Sequence, residues 1–141
     1  MSKKLWLGGI YLKEEGGYEI ILKSLFHYRK RLQTIHESPE LKEAAAMFAP
    51  ILQSTARKKM PIIAESIEKI YQILLNLIPA KSLEENLEIL QKALECRKAD
   101  IEKAEDTGAE YFIILLGNVS ESKKDLVIIE KALTKINQYL E

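Results

Sequence analysis

The chain has little of several residue types, and each scarcity restricts its chemistry. A single cysteine, Cys96, excludes an intramolecular disulfide and any zinc cluster built from several cysteines. Because an unpaired cysteine is typical of a reducing compartment, we expect a cytoplasmic protein. The longest uninterrupted runs of hydrophobic residues, such as residues 111–116, are far shorter than a bilayer requires, so we expect no membrane span.

Sequence motifs for cofactors are also lacking. Neither Gly-Gly pair is followed by the residues of a phosphate loop or a dinucleotide fingerprint. Neither His27 nor His36 has a glutamate three residues before it, as the inward-facing pairs of di-iron bundles do. Cys96 has no histidine near it in the sequence, which is unlike a catalytic thiol. We therefore predict no cofactor and no metal site.

The charges balance in total but are unevenly distributed. The 141 residues, 47% of them hydrophobic, suit one domain, and 21 basic residues match 21 acidic ones, so a polyanionic partner is not favoured. Residues 1–61 hold 11 basic and 6 acidic residues, whereas residues 62–141 hold 10 and 15. Such halves can attract each other within a monomer or across a dimer. Glutamate outnumbers aspartate by 18 to 3, a bias typical of heat-adapted proteins, so we expect a thermophilic source.

Apolar residues recur at steps of three and four along most of the chain. Five segments show this helical spacing, at residues 18–36, 39–58, 61–78, from 82 onward and at 126–140. The joints between the first four are short, which favours antiparallel neighbours. We predict an all-α domain, an antiparallel bundle of about five helices over residues 18–141 with a short appendage at residues 1–17.

Capping residues and prolines predict where these helices begin and end. Ser82 and Glu85 have the spacing of a capping box, in which the glutamate side chain reaches back to the serine amide. Pro61 and Pro79 are expected to end the segments before them, because the residue preceding a proline avoids the helical conformation. Pro50 is expected to bend or open its helix by removing a hydrogen bond.

Two regions leave alternatives open. Residues 1–17 form either an ordered tail or a small hairpin, in which a two-residue Gly8-Gly9 turn places Trp6 opposite Tyr11. The apolar run in residues 107–120 fits a buried strand. However, the heptad of the fourth segment continues through Gly108, and we favour one long helix that ends near residue 117.

The stretch HYRKRLQTIHE, residues 27–37, holds both histidines. On a helical wheel Arg29 and His36 interrupt the apolar face of the first helix, two turns apart, whereas His27 and Arg31 point away from it. An arginine on such a face needs a partner, because burying its charge alone is costly.

This stretch resembles the Arg-x(4 to 6)-His motif of the HEPN family, small all-helical dimeric proteins that include ribonucleases. Both Arg29 and Arg31 have the required spacing to His36, but only Arg29 shares its helix face. The resemblance implies that Arg29 clamps an RNA phosphate and that His36 acts as general acid or base across a dimer.

A structural interpretation explains the same residues. Cations near the end of a helix offset its negative dipole, which accounts for His27, Arg31 and the basic residues 57–59 at the end of the second helix. These two basic clusters would lie at opposite ends of the bundle, which disfavours one nucleic-acid groove. The acidic residues of the fourth segment fit a solvated helix face: Asp100, Glu102, Glu105 and Asp106.

Surplus isoleucines complete the functional prediction. Seven fall outside the main apolar stripes and mark either a partner surface or extra core: Ile20, Ile62, Ile73, Ile89, Ile113, Ile114 and Ile128. We predict a non-catalytic interaction or scaffold protein that self-associates as a homodimer. The alternatives are a HEPN-like ribonuclease or its inactive relative, with Arg29 and His36 as the catalytic residues, and a carrier of an apolar ligand that enters beside Pro50.

Overall fold

The structure is a computed structural model that describes residues 6–7, 10–11, 17–35 and 49–141. Its helices confirm the predicted all-α fold. The α-helices within these ranges are α1 (Gly17–Gln33), α2 (Ala49–Leu74), α3 (Leu87–Thr107), α4 (Glu110–Leu116), α5 (Val119–Lys124) and α6 (Leu126–Leu140). A 3-10 helix (Ala80–Asn86) precedes α3, and two short strands, β1 (Trp6–Leu7) and β2 (Ile10–Tyr11), precede α1.

The two strands pair as an antiparallel hairpin. Trp6 lies opposite Tyr11, as predicted, and Leu7 lies opposite Ile10. Ile10 is buried within the main hydrophobic core. The hairpin is therefore attached to the bundle, which explains how so short a pair of strands stays ordered.

Helices α1 and α3 form the centre of the bundle. Helix α1 packs against α2 on one side and α3 on the other, and α6 packs against the far side of α3. The fully buried side chains at these contacts are Ile21, Leu25, Ile63, Ile70, Leu90, Leu94, Ile129 and Ile136. Each such side chain contributes about 1.5–3 kcal/mol to folding through removal from water.

Helix α2 continues through a proline that was expected to end a helix. Pro61 lies inside α2, so the prediction of separate helices before and after this residue is wrong. Pro61 is exposed, and the carbonyl group that it leaves without a partner can therefore bond to water. The buried Ile63 and Ile70 follow within three turns, and their burial outweighs the cost of the proline. Residues 36–48 lie outside the described part, so the bend expected at Pro50 is not tested.

The C-terminal end of α2 is closed by a residue in the left-handed conformation. Asn76 has a φ of 63°. Its N–H donates to Ile73 O at 3.0 Å, and the N–H of Leu77 donates to Gln72 O at 2.8 Å. This pair of hydrogen bonds is a Schellman motif, and it ends the helix before Pro79.

The predicted capping box does not form. Ser82 and Glu85 lie in the 3-10 helix, and the Ser82 N–H donates to Pro79 O at 3.0 Å. Glu85 Oε1 instead accepts a hydrogen bond from Lys69 Nζ at 2.5 Å, which lowers the pKa of Glu85. A charged donor from α2 is a stronger partner than a backbone amide, so it draws the glutamate side chain away.

The region 107–120 is helical, as favoured, but it is interrupted. Helix α3 ends at Thr107, and Gly108 adopts a left-handed φ of 63° while its N–H donates to Ala104 O. Helix α4 follows, and Gly117 with a φ of 76° separates it from α5. The expectation of one continuous helix is therefore wrong, because glycine adopts this conformation at little cost and ends helices readily.

The surplus isoleucines divide between core and surface. Ile20, Ile73 and Ile89 are buried, so the core-filling alternative is correct for these three. Ile62, Ile113 and Ile114 are exposed. Within the described ranges, every helix is too short or too polar to cross a bilayer.

Replacing Pro61 with alanine should stabilise the protein. Alanine restores the missing helix hydrogen bond, and we expect the free energy of unfolding to rise by about 2 kcal/mol, somewhat less than the full cost of an interior proline. Urea denaturation followed by circular dichroism measures this change. Pro79→Ala is the matched control, because Pro79 precedes the 3-10 helix as its N-cap residue, where the missing N–H removes no helix hydrogen bond. An equal increase in the free energy of unfolding for both variants would contradict the explanation that Pro61 costs α2 a helix hydrogen bond.

Candidate functional site

The most unusual residue in the described part of the bundle is a buried aspartate in the middle of α3. Asp100 is only 2% exposed, so the prediction that it belongs to a solvated face is wrong. Glu102, Glu105 and Asp106 are exposed, as that prediction requires. Asp100 differs from these three residues because α3 packs against more than one helix. Its buried face is therefore wider than a single apolar stripe and includes residue 100.

His27 on α1 is the closest partner of Asp100. Its Nε2 lies 2.7 Å from Asp100 Oδ2, and the two side chains are 5% and 3% exposed. Burying a carboxylate is costly unless it is hydrogen-bonded or paired with a positive charge. His27 donates a hydrogen bond to Asp100, and a doubly protonated ring also supplies the positive charge. His27 therefore does not act as a solvated cation at the helix end, which corrects the earlier expectation.

Arg31 lies one turn after His27 and contacts the same carboxylate. Its Nε donates to Asp100 Oδ2 at 3.1 Å. Its guanidinium carbon lies 5.3 Å from the ring centroid of Tyr111 and 5.6 Å from that of Phe112. Planar, weakly hydrated guanidinium groups suit such half-buried aromatic surroundings. Arg31 thus connects α1 to both α3 and α4.

The end of α1 makes a further contact with α4. Thr34 Oγ1 and Tyr111 Oη form a hydrogen bond of 2.9 Å, and Arg31 Nη1 donates to the same hydroxyl at 3.4 Å. Lys23 and Arg97 contact the same carboxylate of Asp125, and His27 contacts Asp100, so the contacts occur in the same order along α1 and α3. Helices α1 and α3 are therefore parallel.

Cys96 completes the set of side chains around Asp100. Its Sγ donates to Asp100 Oδ2 at 3.7 Å, and one ligand atom from each of His27, Cys96 and Asp100 lies within 4.8 Å of the others. Cys96 therefore lies near a histidine in the folded chain, although none is near it in the sequence. Burial raises the pKa of the neighbouring Tyr28, and the charge of Cys96 raises it further. We call His27, Arg31, Cys96 and Asp100 the Asp100 cluster.

A second buried ion pair lies beside this cluster. Arg97 Nη2 donates to Asp125 Oδ2 at 2.8 Å, and Lys23 Nζ lies 3.9 Å from the same oxygen. Arg97 Nη1 is buried and has no hydrogen-bond partner among the described residues. This pair attaches the start of α6 to the centre of the bundle.

A cleft of about 700 Å³ opens between α1, α3 and the α4–α5 corner. His27 and Arg97 line its inner wall, and Pro50 does not line it. Charged side chains line the cleft together with apolar ones: Lys23, Lys30, Lys124, Glu121 and Asp125, with Phe26, Leu115 and Leu116. Its walls therefore present polar and apolar surface in nearly equal amounts.

The predicted catalytic pair is only half described. Arg29 is partly buried, its guanidinium carbon lies 5.0 Å from the Phe26 ring centroid, and in the described part of the chain no carboxylate pairs with it. His36 lies outside the described residues. The assignment of Arg29 and His36 to a ribonuclease site therefore stays a prediction. Arg31, the other arginine with the required spacing, is instead part of the Asp100 cluster.

Sequence reasoning missed the cluster because its partners are 69 and 73 residues apart along the chain. The only local signal is spacing. His27 and Arg31 are four residues apart, as are Cys96 and Asp100, and each pair therefore shares a helix face. That spacing is common on exposed helices, so only the packing of α1 against α3 identifies the site.

Comparison of the chain with family models, curated proteins and solved structures finds no match.

Replacing Asp100 with alanine should destabilise the protein strongly. The change leaves the buried His27 and the half-buried Arg31 without their acceptor, and we expect a loss of about 3 kcal/mol in the free energy of unfolding. Chemical denaturation measures this loss. Glu102→Ala is the matched control, because Glu102 is exposed two residues further along α3, and its change should stay within about 0.5 kcal/mol. Similar small losses for both variants would show that the cluster does not hold α1 against α3.

Proposed function

We propose that the protein is a non-catalytic helical-bundle protein that associates with a second copy of itself. The surface used for this association lies at the end of the bundle where α2 and α6 finish. The observation that carries the proposal is the exposure of two leucines in the turn after α2. Leu75 is 69% exposed and Leu77 is 68% exposed.

Further apolar side chains extend this surface. Tyr71 is exposed one turn before Leu75 on α2, and Tyr139 and Leu140 are exposed at the end of α6. We call Tyr71, Leu75, Leu77, Tyr139 and Leu140 the end surface. Single exposed apolar residues are normal on proteins, but several at one end of a bundle are typical of an interface.

Polar contacts connect the two parts of the end surface. Lys69 on α2 binds Glu85 of the 3-10 helix, and Tyr139 on α6 donates a hydrogen bond to Glu84 of the same 3-10 helix. The 3-10 helix thus lies between the ends of α2 and α6. The Schellman motif at Asn76 fixes the backbone of Leu75 and Leu77, so their exposure follows from a defined turn.

A second copy of the chain is the partner that the charges favour. The formal net charge is zero, and the isoelectric point is about 6.8. Two copies therefore do not repel each other near neutral pH, whereas a strongly charged partner gains no electrostatic attraction. A two-fold dimer also places the same patch on both sides, so a largely apolar surface is complementary to itself.

The Asp100 cluster supports the non-catalytic part of the proposal. Asp100 Oδ2 already accepts from His27, Arg31 and Cys96, and it is shielded from water. A general base needs a free lone pair within reach of a substrate proton. In this arrangement the carboxylate acts as a fixed acceptor between helices.

Location and source are further parts of the proposal. The single cysteine is half-buried, and one cysteine cannot form a disulfide within the chain, which favours the reducing cytoplasm. The excess of glutamate over aspartate favours a heat-adapted source.

Introducing charge into the end surface should abolish self-association. We expect the unaltered protein to be a dimer and the double variant Leu75→Asp/Leu77→Asp to be a monomer, because four carboxylates cannot be buried together in one interface. Size-exclusion chromatography with light scattering, over a range of protein concentrations, measures the mass.

Ile114→Asp is the matched control for this experiment. Ile114 is 64% exposed on α4, which packs beside the opposite, C-terminal end of α1. This variant should remain a dimer. A monomeric unaltered protein, or a dimer that persists in the double variant, would refute the assignment of the end surface.

A further inference from the structure

Three side chains of the Asp100 cluster offer ligand atoms that metal ions prefer. His27 offers an imidazole nitrogen, Cys96 a sulfur and Asp100 a carboxylate oxygen, and the three atoms lie within 4.8 Å of one another. His27 and Asp100 are buried, and Cys96 is half-buried. Nitrogen, sulfur and oxygen ligands together suit zinc and similar borderline divalent ions rather than magnesium or calcium.

We propose that His27, Cys96 and Asp100 bind one divalent metal ion of the zinc class. Such an ion joins α1 to α3 and holds the bundle centre together, so the site is structural rather than catalytic. The proposal concerns the single chain and does not depend on self-association.

The distance between the ligand atoms of Cys96 and Asp100 is close to that of a tetrahedral site. Zinc bonds of about 2.1 Å to nitrogen and oxygen and about 2.3 Å to sulfur place neighbouring ligand atoms roughly 3.3–3.6 Å apart. The sulfur of Cys96 lies 3.7 Å from Asp100 Oδ2, which agrees with that spacing. The nitrogen of His27 lies 2.7 Å from the same oxygen. Metal binding therefore displaces the proton between these two atoms, which moves to Nδ1 of a neutral ring or, from a doubly protonated ring, to solvent. The two atoms then move apart by about 0.6 Å, which a side-chain adjustment supplies.

The three ligands are held in place by two packed helices. Cys96 and Asp100 are one turn apart on α3 and therefore share a face, and His27 approaches that face from the parallel helix α1. The three ligands thus come from two packed helices with buried surroundings. Three protein ligands leave the fourth position of a tetrahedral ion to water or another donor.

Arg31 supplies the outer contact that metal-binding carboxylates usually have. Its Nε donates to Asp100 at 3.1 Å and orients the carboxylate. A thiolate and a carboxylate together neutralise a divalent ion, so the single positive charge of Arg31 remains next to a neutral centre. The thiol proton leaves to solvent when the metal binds, and binding should therefore tighten as the pH rises.

The cleft beside the cluster gives the ion a route to the site. His27 lines this cleft of about 700 Å³, and Cys96 is only half-buried, so two of the three ligands are not sealed inside the core. An ion can therefore reach the ligands without unfolding of the bundle.

Cobalt titration tests the proposal directly. Chelator-treated protein, freed from the chelator, is titrated with Co²⁺ alone and then with Zn²⁺. We expect one equivalent of Co²⁺ to produce a thiolate-to-cobalt charge-transfer band, which Zn²⁺ then removes. Cys96 is the only cysteine in the sequence, so such a band identifies its sulfur as a ligand.

Cys96→Ser is the informative variant, and Glu95→Gln is its matched control. Serine keeps the shape of the side chain but lacks the sulfur, so the band should vanish and Zn²⁺ should bind at least about tenfold more weakly. Glu95 is the exposed neighbour on α3, and its variant should bind like the unaltered protein. Zn²⁺ should also raise the melting temperature of the unaltered protein and of Glu95→Gln, but much less that of Cys96→Ser.

A second measurement uses the unaltered protein alone, in case a variant fails to fold. Zn²⁺ should slow the alkylation of Cys96, because a metal-bound sulfur is a poorer nucleophile. Absence of saturable Co²⁺ binding, a cobalt spectrum without a thiolate band, or an unchanged alkylation rate would each overturn the proposal.

Discussion

The hydrogen bonds to one oxygen atom of Asp100 determine how the central helices meet. His27 and Arg31 from α1 and Cys96 from α3 all contact Oδ2 of this carboxylate. Because Asp100 is almost completely shielded from water, its charge must be balanced by these neighbours. Sliding α1 by one turn would leave the carboxylate unpaired, so the cluster selects one register out of several that apolar packing alone permits.

Apolar packing supplies most of the stability around this polar centre. Helix α1 packs against α2, α3 and α4, and α3 contacts all five other α-helices described, so the buried arc of each is wide. Helix α2 buries Ile63 and Ile70 on its inner side but ends in a turn whose leucines remain in water. The same chain thus provides a well-filled core and, at one end, an apolar surface for which the bundle offers no cover. Structural metal binding and self-association would act on these two separate parts of the molecule.

The helical segments, the all-α class and the pairing of Trp6 with Tyr11 were predictable, because periodicity and turn residues act over short distances. The predictions failed where a tertiary contact competed with a local rule. Tertiary packing keeps α2 helical on both sides of Pro61. Lys69 on α2 binds the Glu85 side chain, which therefore does not form the predicted cap. The candidate site was not predictable, because the sequence around Asp100 is typical of an exposed helix face. Its partner His27 lies 73 positions away in the sequence and contacts it only through the packing of α1 against α3.

A double-mutant cycle between His27 and Asp100 tests the central role of the cluster most directly. The free energies of unfolding of the protein, of His27→Ala, of Asp100→Ala and of the double variant are measured in chelator-containing buffer, so that the contact is assessed without metal. We expect the double variant to be more stable than the sum of the two single losses implies, with a coupling energy of about 1–3 kcal/mol. Strictly additive losses would contradict it, because they would mean that the two side chains touch without stabilising each other.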